Sequence, residues 1–158
     1  MPTPPRGSKP SYTTIIVAID DDDPEAVCRR ADQLALQFDA SVLLVNVVEP
    51  FAPMVTPGVM GGATMVTPLE AAEYDKLLEQ HRRRLTDIAA NMAVENVESK
   101  VLESADLGLA IHTEASEQGA DLIIVGSHGR HGLALLFNGS TASDMLKASP
   151  CDVLAVAI

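Results

Sequence analysis

The sequence is poor in aromatic residues. Only 3% of its residues are aromatic and none is tryptophan, so the core has to be built from aliphatic side chains. With 47% apolar and 21% charged residues among 158, the composition is that of one soluble globular domain. An aliphatic core favours a parallel sheet that is buried on both faces.

Cysteines and long apolar runs are also scarce. Cys28 and Cys151 are the only two cysteines and belong to no Cys-x-x-Cys motif, so we expect two buried thiols and no zinc or redox site. No run of about 20 apolar residues could span a bilayer, and residues 1–10 lack the apolar segment of a secretory signal. We therefore expect a cytoplasmic protein without membrane insertion, in which residues 1–11 form a disordered Pro-rich arm.

Basic residues are outnumbered by acidic ones, 11 against 22, which gives a formal charge of −11. A nucleic-acid-binding domain needs a basic footprint, so this class is disfavoured. The same charge repels anionic membrane surfaces. The acidity can also serve only to keep the protein soluble.

Apolar runs that are typical of buried strands alternate with amphipathic helices along the chain. This alternation predicts an α/β fold with one open, parallel, five-stranded sheet and helices on both faces. Either the flavodoxin-like strand order or 3-2-1-4-5 places a ligand crevice beside the carboxyl ends of strands one and four. Strands are predicted at 13–19, 41–48, 97–103, 121–126 and 152–158, and helices from Pro24, over 69–92, over 106–119 and over 140–148.

Two further features concern the middle of the chain. Prolines and glycines exclude a regular element over residues 49–68, so we predict a long flexible loop that is either a partner surface, a lid or a connector.

In the helix over 69–92, the spacing places Leu77 and His81 on the apolar stripe. It turns Arg82, Arg83 and Arg84 mostly to solvent.

A glycine-containing loop follows the fourth strand and has the spacing G-x2-G-x9-G-S. Gly126 and Gly129 lack a Cβ, so backbone N–H groups can approach phosphate oxygens. Gly139, Ser140 and Thr141 stand at a predicted helix N-terminus, which attracts anions. His128, Arg130 and His131 add donors or positive charge. Taken singly, each glycine also fits an ordinary strand exit or helix cap, but the ordered set predicts a phosphate site.

The loop matches neither of two common phosphate motifs. It has no Gly-Lys-Ser/Thr sequence, so it is not a Walker loop. The dinucleotide fingerprint should follow the first strand, where this chain has aspartates.

At these residues the sequence resembles the universal stress protein family, from residue 13 to residue 158. Four segments carry the resemblance. They are Ile15-Ile-Val-Ala-Ile-Asp20, Leu44-Val-Asn-Val-Val-Glu-Pro50, Gly119-Ala-Asp-Leu-Ile-Ile-Val-Gly-Ser-His-Gly129, and Gly139-Ser140 with Ser149-Pro-Cys-Asp-Val-Leu-Ala-Val156. The G-x2-G-x9-G-S spacing is similar to that of the ATP-binding members.

The resemblance implies the strand order 3-2-1-4-5 of adenine nucleotide alpha hydrolase-like folds and a homodimer, or a tetramer, joined through the last strand. It implies ATP, ADP or AMP in the crevice. Asp20, with Ala18 and Ile19, would line the ribose and adenine, the Val47 backbone would contact the adenine edge, and Val125 would pack beneath the nucleotide. The phosphates would be held by Gly126, Gly129, Gly139, Ser140 and Thr141, with His128 and Arg130 beside them.

The sequence departs from the family pattern at three places. Family members commonly have a small residue after the first aspartate, whereas Asp21, Asp22 and Asp23 follow here. These carboxylates either hold Mg²⁺ or Mn²⁺ against the phosphates or simply form a solvated helix start. Asn46 stands where many members have histidine, and Thr141 stands where valine is usual.

The leading functional hypothesis is a nucleotide-dependent regulatory or stress-response factor that acts on a transporter or signalling partner. A slow ATPase or autophosphorylating enzyme, using His128 or His131, is the alternative. An interaction module of the same fold without a nucleotide is another. A two-component receiver domain is excluded, because strand three ends in Glu103-Ser104-Ala105 without a phosphoacceptor aspartate and no lysine follows strand five.

Overall fold

The structure is a computed structural model that describes residues 11–20, 24–51, 68–127 and 148–157. Strands and helices alternate through these ranges up to β4. The elements are β1 (Thr14–Ala18), α1 (Pro24–Phe38), β2 (Ser41–Val48), α2 (Pro68–Asn91), β3 (Val97–Glu103), α3 (Leu107–Gln118), β4 (Leu122–Gly126) and β5 (Asp152–Val156). The predicted helix over 140–148 lies, apart from its last residue, outside the described residues.

All five strands are parallel and belong to one sheet in the order β3-β2-β1-β4-β5. The order 3-2-1-4-5 is therefore confirmed. β1 lies at the centre, between β2 and β4, and β3 and β5 form the two edges. This arrangement brings the first and fourth strands together, although more than 100 residues separate them.

The helix ends follow from local chemistry. α1 and α2 both begin at a proline, Pro24 and Pro68, whose missing N–H is not needed in a first helical turn. The Asp106 carboxylate caps α3 by accepting a hydrogen bond from the Leu109 N–H at 3.0 Å. α3 stops at Gly119, whose φ of 64° is in the left-handed region that glycine tolerates best.

The core consists of two apolar clusters, one on each face of the sheet. Alternate residues of β1 point to opposite faces: Ile15 and Val17 pack with α1 and α2, whereas Ile16 and Ala18 pack with α3. Helices therefore cover both faces, as predicted. Full burial of one such aliphatic side chain contributes about 1.5–3 kcal/mol.

Two predictions for α2 are wrong. Leu77 is 42% exposed and does not belong to the apolar stripe, which is carried by Leu78 and Leu85. Arg84 is half-buried and not mainly in solvent, because its guanidinium bonds to the backbone after β1. His81, which the spacing also places on the apolar stripe, is half-buried.

The two cysteines differ in burial. Cys28 lies in the core as expected, whereas Cys151 is only half-buried. Within the part of the chain that the structure describes, no helix is both long and apolar enough to cross a membrane.

Candidate functional site

The carboxyl ends of β1 and β4 lie side by side. Val17 is opposite Ile124 in the β1–β4 register, so Asp20 and Ser127, each three residues further along, follow the two strands at the same edge of the sheet. From β1 the chain continues through β2 to β3 on one side, whereas β4 and β5 lie on the other side. The direction of strand addition therefore reverses between β1 and β4. In parallel α/β folds, ligands bind at such a reversal point, outside the carboxyl ends of the strands.

An apolar floor lies beneath this edge. Ala18, Val47 and Val125 come from three neighbouring strands and belong to one buried cluster, with exposures of 2%, 2% and 0%. The sheet thus brings these three predicted residues together on one face. Ile19 is fully buried but packs in the cluster on the opposite face.

Asp20 is the predicted carboxylate at the edge of this floor, and it is half-buried. It follows the last residue of β1 by two positions, so it lies at the edge where β1 and β4 end. An apolar floor with a carboxylate at its rim fits an adenine nucleoside, whose base is flat and apolar and whose ribose offers hydroxyl donors. Gly126 ends β4 within the sheet, opposite Val156 of β5.

The remaining predicted site residues lie outside the described residues. They are His128, Gly129, Arg130, Gly139, Ser140 and Thr141, together with His131 and the acidic residues 21–23. Among the residues that the structure describes, no three histidine, cysteine, aspartate or glutamate side chains are close enough to hold a metal ion.

Two side chains that the sequence did not assign to the site contact the backbone just after β1. The Asn46 amide Nδ2 donates to the Ile19 carbonyl oxygen at 2.8 Å. The Arg84 guanidinium Nη2 donates to the Asp20 carbonyl oxygen at 3.1 Å. Asn46 could have been noticed as the one polar residue of β2 after Ser41. Arg84 lies three residues after His81 and four before Ile88, which indicates a position beside the apolar stripe but does not identify its acceptor.

The Arg84 guanidinium is also close enough to Cys28 of α1 to influence its thiol. Burial and, to a smaller extent, the nearby Asp32 carboxylate raise the pKa of the Cys28 thiol to about 11, although the Arg84 charge acts to lower it. Arg84 therefore lies near both Cys28 and the Asp20 backbone. The Cys28 thiol stays protonated at neutral pH, so it is not a nucleophile.

Comparison with known proteins places this chain in a family. A sequence model of the Universal stress protein family matches residues 11–157. The chain belongs to the universal stress protein family. Universal stress protein A homolog 2 of Coxiella burnetii is 33% identical over 150 residues, which cover 94% of this chain and 97% of that protein.

Solved structures of the family share the fold. A universal stress protein family member from Burkholderia pseudomallei is 25% identical, with a TM-score of 0.64, and the match covers 92% of this chain and 96% of that one. A universal stress protein in complex with cAMP has 23% identity, a TM-score of 0.61 and coverage of 93% and 98%. The Archaeoglobus fulgidus protein in complex with dAMP has 20% identity, a TM-score of 0.51 and coverage of 92% and 98%.

Proposed function

We propose that this universal stress protein binds an adenine nucleotide at the carboxyl edge of β1, β2 and β4 and acts as a nucleotide-dependent stress-response or regulatory factor. The observation that carries the proposal is the position of Asp20 directly after β1, at the edge of the sheet where Ala18, Val47 and Val125 form a buried apolar floor. The relatives whose structures contain cAMP and dAMP support an adenine nucleotide as the ligand class.

Within this proposal, each part of the site has one role. The floor packs against the base, the Asp20 carboxylate accepts hydrogen bonds from the ribose or the base, and the Val47 backbone contacts the adenine edge. Gly126 opens the loop that supplies phosphate donors, including Gly129, Ser140 and Thr141. The preference for ATP over AMP rests on the G-x2-G-x9-G-S spacing, since each glycine in it frees backbone N–H groups for phosphate.

Release of bound nucleotide tests the proposal. We would denature the purified protein, identify any released nucleotide by chromatography and mass spectrometry, and titrate the nucleotide-free protein with ATP, ADP and AMP by calorimetry. We expect a released adenine nucleotide or saturable ATP binding. If neither is observed, with and without Mg²⁺, the proposed function is wrong.

The same titration tests the metal. If Mg²⁺ or Mn²⁺ joins the phosphates to the carboxylates of residues 20–23, EDTA should weaken ATP binding and leave AMP binding unchanged, because AMP lacks the β- and γ-phosphates that Mg²⁺ typically bridges. Equal ATP affinity in EDTA and in Mg²⁺ would exclude this role.

We also propose that the protein forms a homodimer through β5. This strand is an edge of the sheet, and its Val153, Leu154 and Ala155 are half-buried or exposed in the single chain. An apolar sheet edge with free backbone groups is a ready surface for pairing with a second copy. Sedimentation velocity of the wild type should give a dimer or a tetramer, and Ala155→Arg should dissociate it. A wild-type monomer would contradict the proposal.

The cytoplasmic location and the protein partner stay predictions.

A further inference from the structure

Two consecutive backbone carbonyls follow β1, those of Ile19 and Asp20, which we call the carbonyl pair. The β1 strand ends at Ala18, and the Ile19 N–H still donates to the Val45 carbonyl oxygen at 2.8 Å. Both carbonyls of the pair accept hydrogen bonds from side chains of other elements, Asn46 of β2 and Arg84 of α2. The backbone that presents Asp20 is therefore held by side-chain donors from two sides.

Asn46 is a costly residue for its position. It is 2% exposed in a strand whose other residues after Ser41 are buried and apolar. Burying an amide is unfavourable unless its polar atoms are bonded. Its Nδ2 bonds to Ile19, whereas its Oδ1 has no hydrogen-bond partner among the described residues. An apolar residue at this position would avoid this cost. The hydrogen bond to the Ile19 carbonyl is what asparagine provides here and an apolar residue could not.

Arg84 differs from the two arginines that precede it. Arg82 and Arg83 have exposed side chains that pair with Glu79 on the same helix. Arg84 is half-buried and reaches a residue 64 positions away. A charged donor makes a stronger hydrogen bond to a carbonyl than a neutral one, and the Arg84 guanidinium also brings positive charge to the Asp20 backbone.

We propose that Asn46 and Arg84 are positioning residues of the nucleotide site, which fix the carbonyl pair and thereby orient the Asp20 carboxylate towards the ligand. Neither side chain touches the nucleotide. The proposal rests on the proposed function, since it concerns how the binding residue Asp20 is held.

Four variants test the two contacts. Arg84→Met keeps the aliphatic stem and removes the donor, Arg84→Lys restores a donor, and Asn46→Leu removes the amide at similar size. Arg83→Met is the matched control, because Arg83 is on the same helix and its side chain is 78% exposed. We expect Arg84→Met and Asn46→Leu to weaken ATP binding about tenfold. A change of this size corresponds to the free energy of one hydrogen bond with a charged or buried partner. Arg84→Lys should recover part of the loss, and Arg83→Met should change affinity by less than about twofold.

A double-mutant cycle separates positioning from general stability. If Arg84 acts through Asp20, Arg84→Met should cost about tenfold in the wild type but less than about twofold in an Asp20→Ala background. An equal loss in both backgrounds, or wild-type affinity in the Arg84→Met and Asn46→Leu variants, would overturn the inference and leave the proposed function intact. A wild-type protein that binds no nucleotide would instead refute the proposed function itself and the inference with it.

Discussion

Because the strands are parallel, they all begin at one side of the sheet, the amino edge, and all end at the other, the carboxyl edge. Backbone groups at these two sides are hydrogen-bonded in opposite ways. At the amino edge, the Asp121 carboxylate accepts hydrogen bonds from the Thr13 N–H at 2.8 Å, the Thr13 hydroxyl at 3.0 Å and the Thr14 N–H at 3.2 Å. At the carboxyl edge, Asn46 and Arg84 donate to the Ile19 and Asp20 carbonyls. Strand starts expose N–H donors and strand ends expose carbonyl acceptors, so each edge selects side chains of complementary character.

This difference in hydrogen bonding indicates which edge of the sheet can bind a ligand. The amino edge uses its carboxylate on its own backbone, and Tyr12 further ties it to Asp152 of β5 through a 2.8 Å hydrogen bond. At the carboxyl edge the Ile19 and Asp20 carbonyls accept from side chains of other elements, Asn46 of β2 and Arg84 of α2. We therefore expect substitutions at the amino edge to change stability, and substitutions at the carboxyl edge to change ligand binding.

The largest expected effect is at the amino edge. Asp121→Ala removes the acceptor of three hydrogen bonds and should lower the free energy of unfolding by about 2 kcal/mol. Urea denaturation measures this loss. Asp121→Asn, which keeps one carbonyl acceptor, should lose less. ATP affinity should not change in either folded variant, and a parallel loss of affinity would contradict the division between the edges.

The next effect is at the carboxyl edge. Asp20→Ala removes the proposed ligand acceptor and should weaken ATP binding about tenfold, with a change in stability below about 0.5 kcal/mol. Calorimetric titration and urea denaturation give the two values. Asp87→Ala, at an exposed aspartate on α2, is the matched control and should leave both unchanged. Undiminished affinity in Asp20→Ala would exclude the carboxylate from the site.

The smallest effect is a pH dependence in α3, the helix that starts beyond the carboxyl end of β3. Burial lowers the pKa of His112 below its ordinary 6.5, while Asp106 raises it by a smaller amount. The unfolded chain therefore binds more protons than the folded one as the pH falls below about 6.5, so the free energy of unfolding should fall through that window.

His112→Gln should remove this contribution to the pH dependence. The difference in unfolding free energy between pH 7 and pH 5 should then be smaller than in the wild type. An identical pH profile for the two proteins would show that His112 is not responsible.

Much of the fold could be predicted from local sequence. Apolar runs identified four of the five strands, whereas β3, with the sequence Val-Glu-Ser-Lys-Val-Leu-Glu, was predicted without one. Asp106 and Gly119 marked the ends of α3 because capping depends on a few neighbouring residues. The resemblance to the family supplied the strand order. Among the described site residues, Ala18, Val47 and Val125 share one buried cluster, since they end or nearly end adjacent strands.

Contacts between distant residues could not be predicted in this way. Arg84 was assigned to solvent because helical spacing alone does not reveal an acceptor 64 residues earlier in the chain. The role of Asp121 at the start of β1, 108 residues away, was missed for the same reason. Leu77 was assigned to the apolar stripe because it precedes His81 by four residues, but the buried face of α2 follows Leu78 and Leu85.

Mapping the ligand onto both edges by NMR tests the central claim most directly. Titrating ¹⁵N-labelled protein with ATP and Mg²⁺ should shift the backbone amides of Asp20, Val47 and Gly126 and leave those of Thr13, Ser41 and Asp121 in place. Shifts confined to the amino edge, or no shifts at saturating ATP, would contradict nucleotide binding at the carboxyl edge.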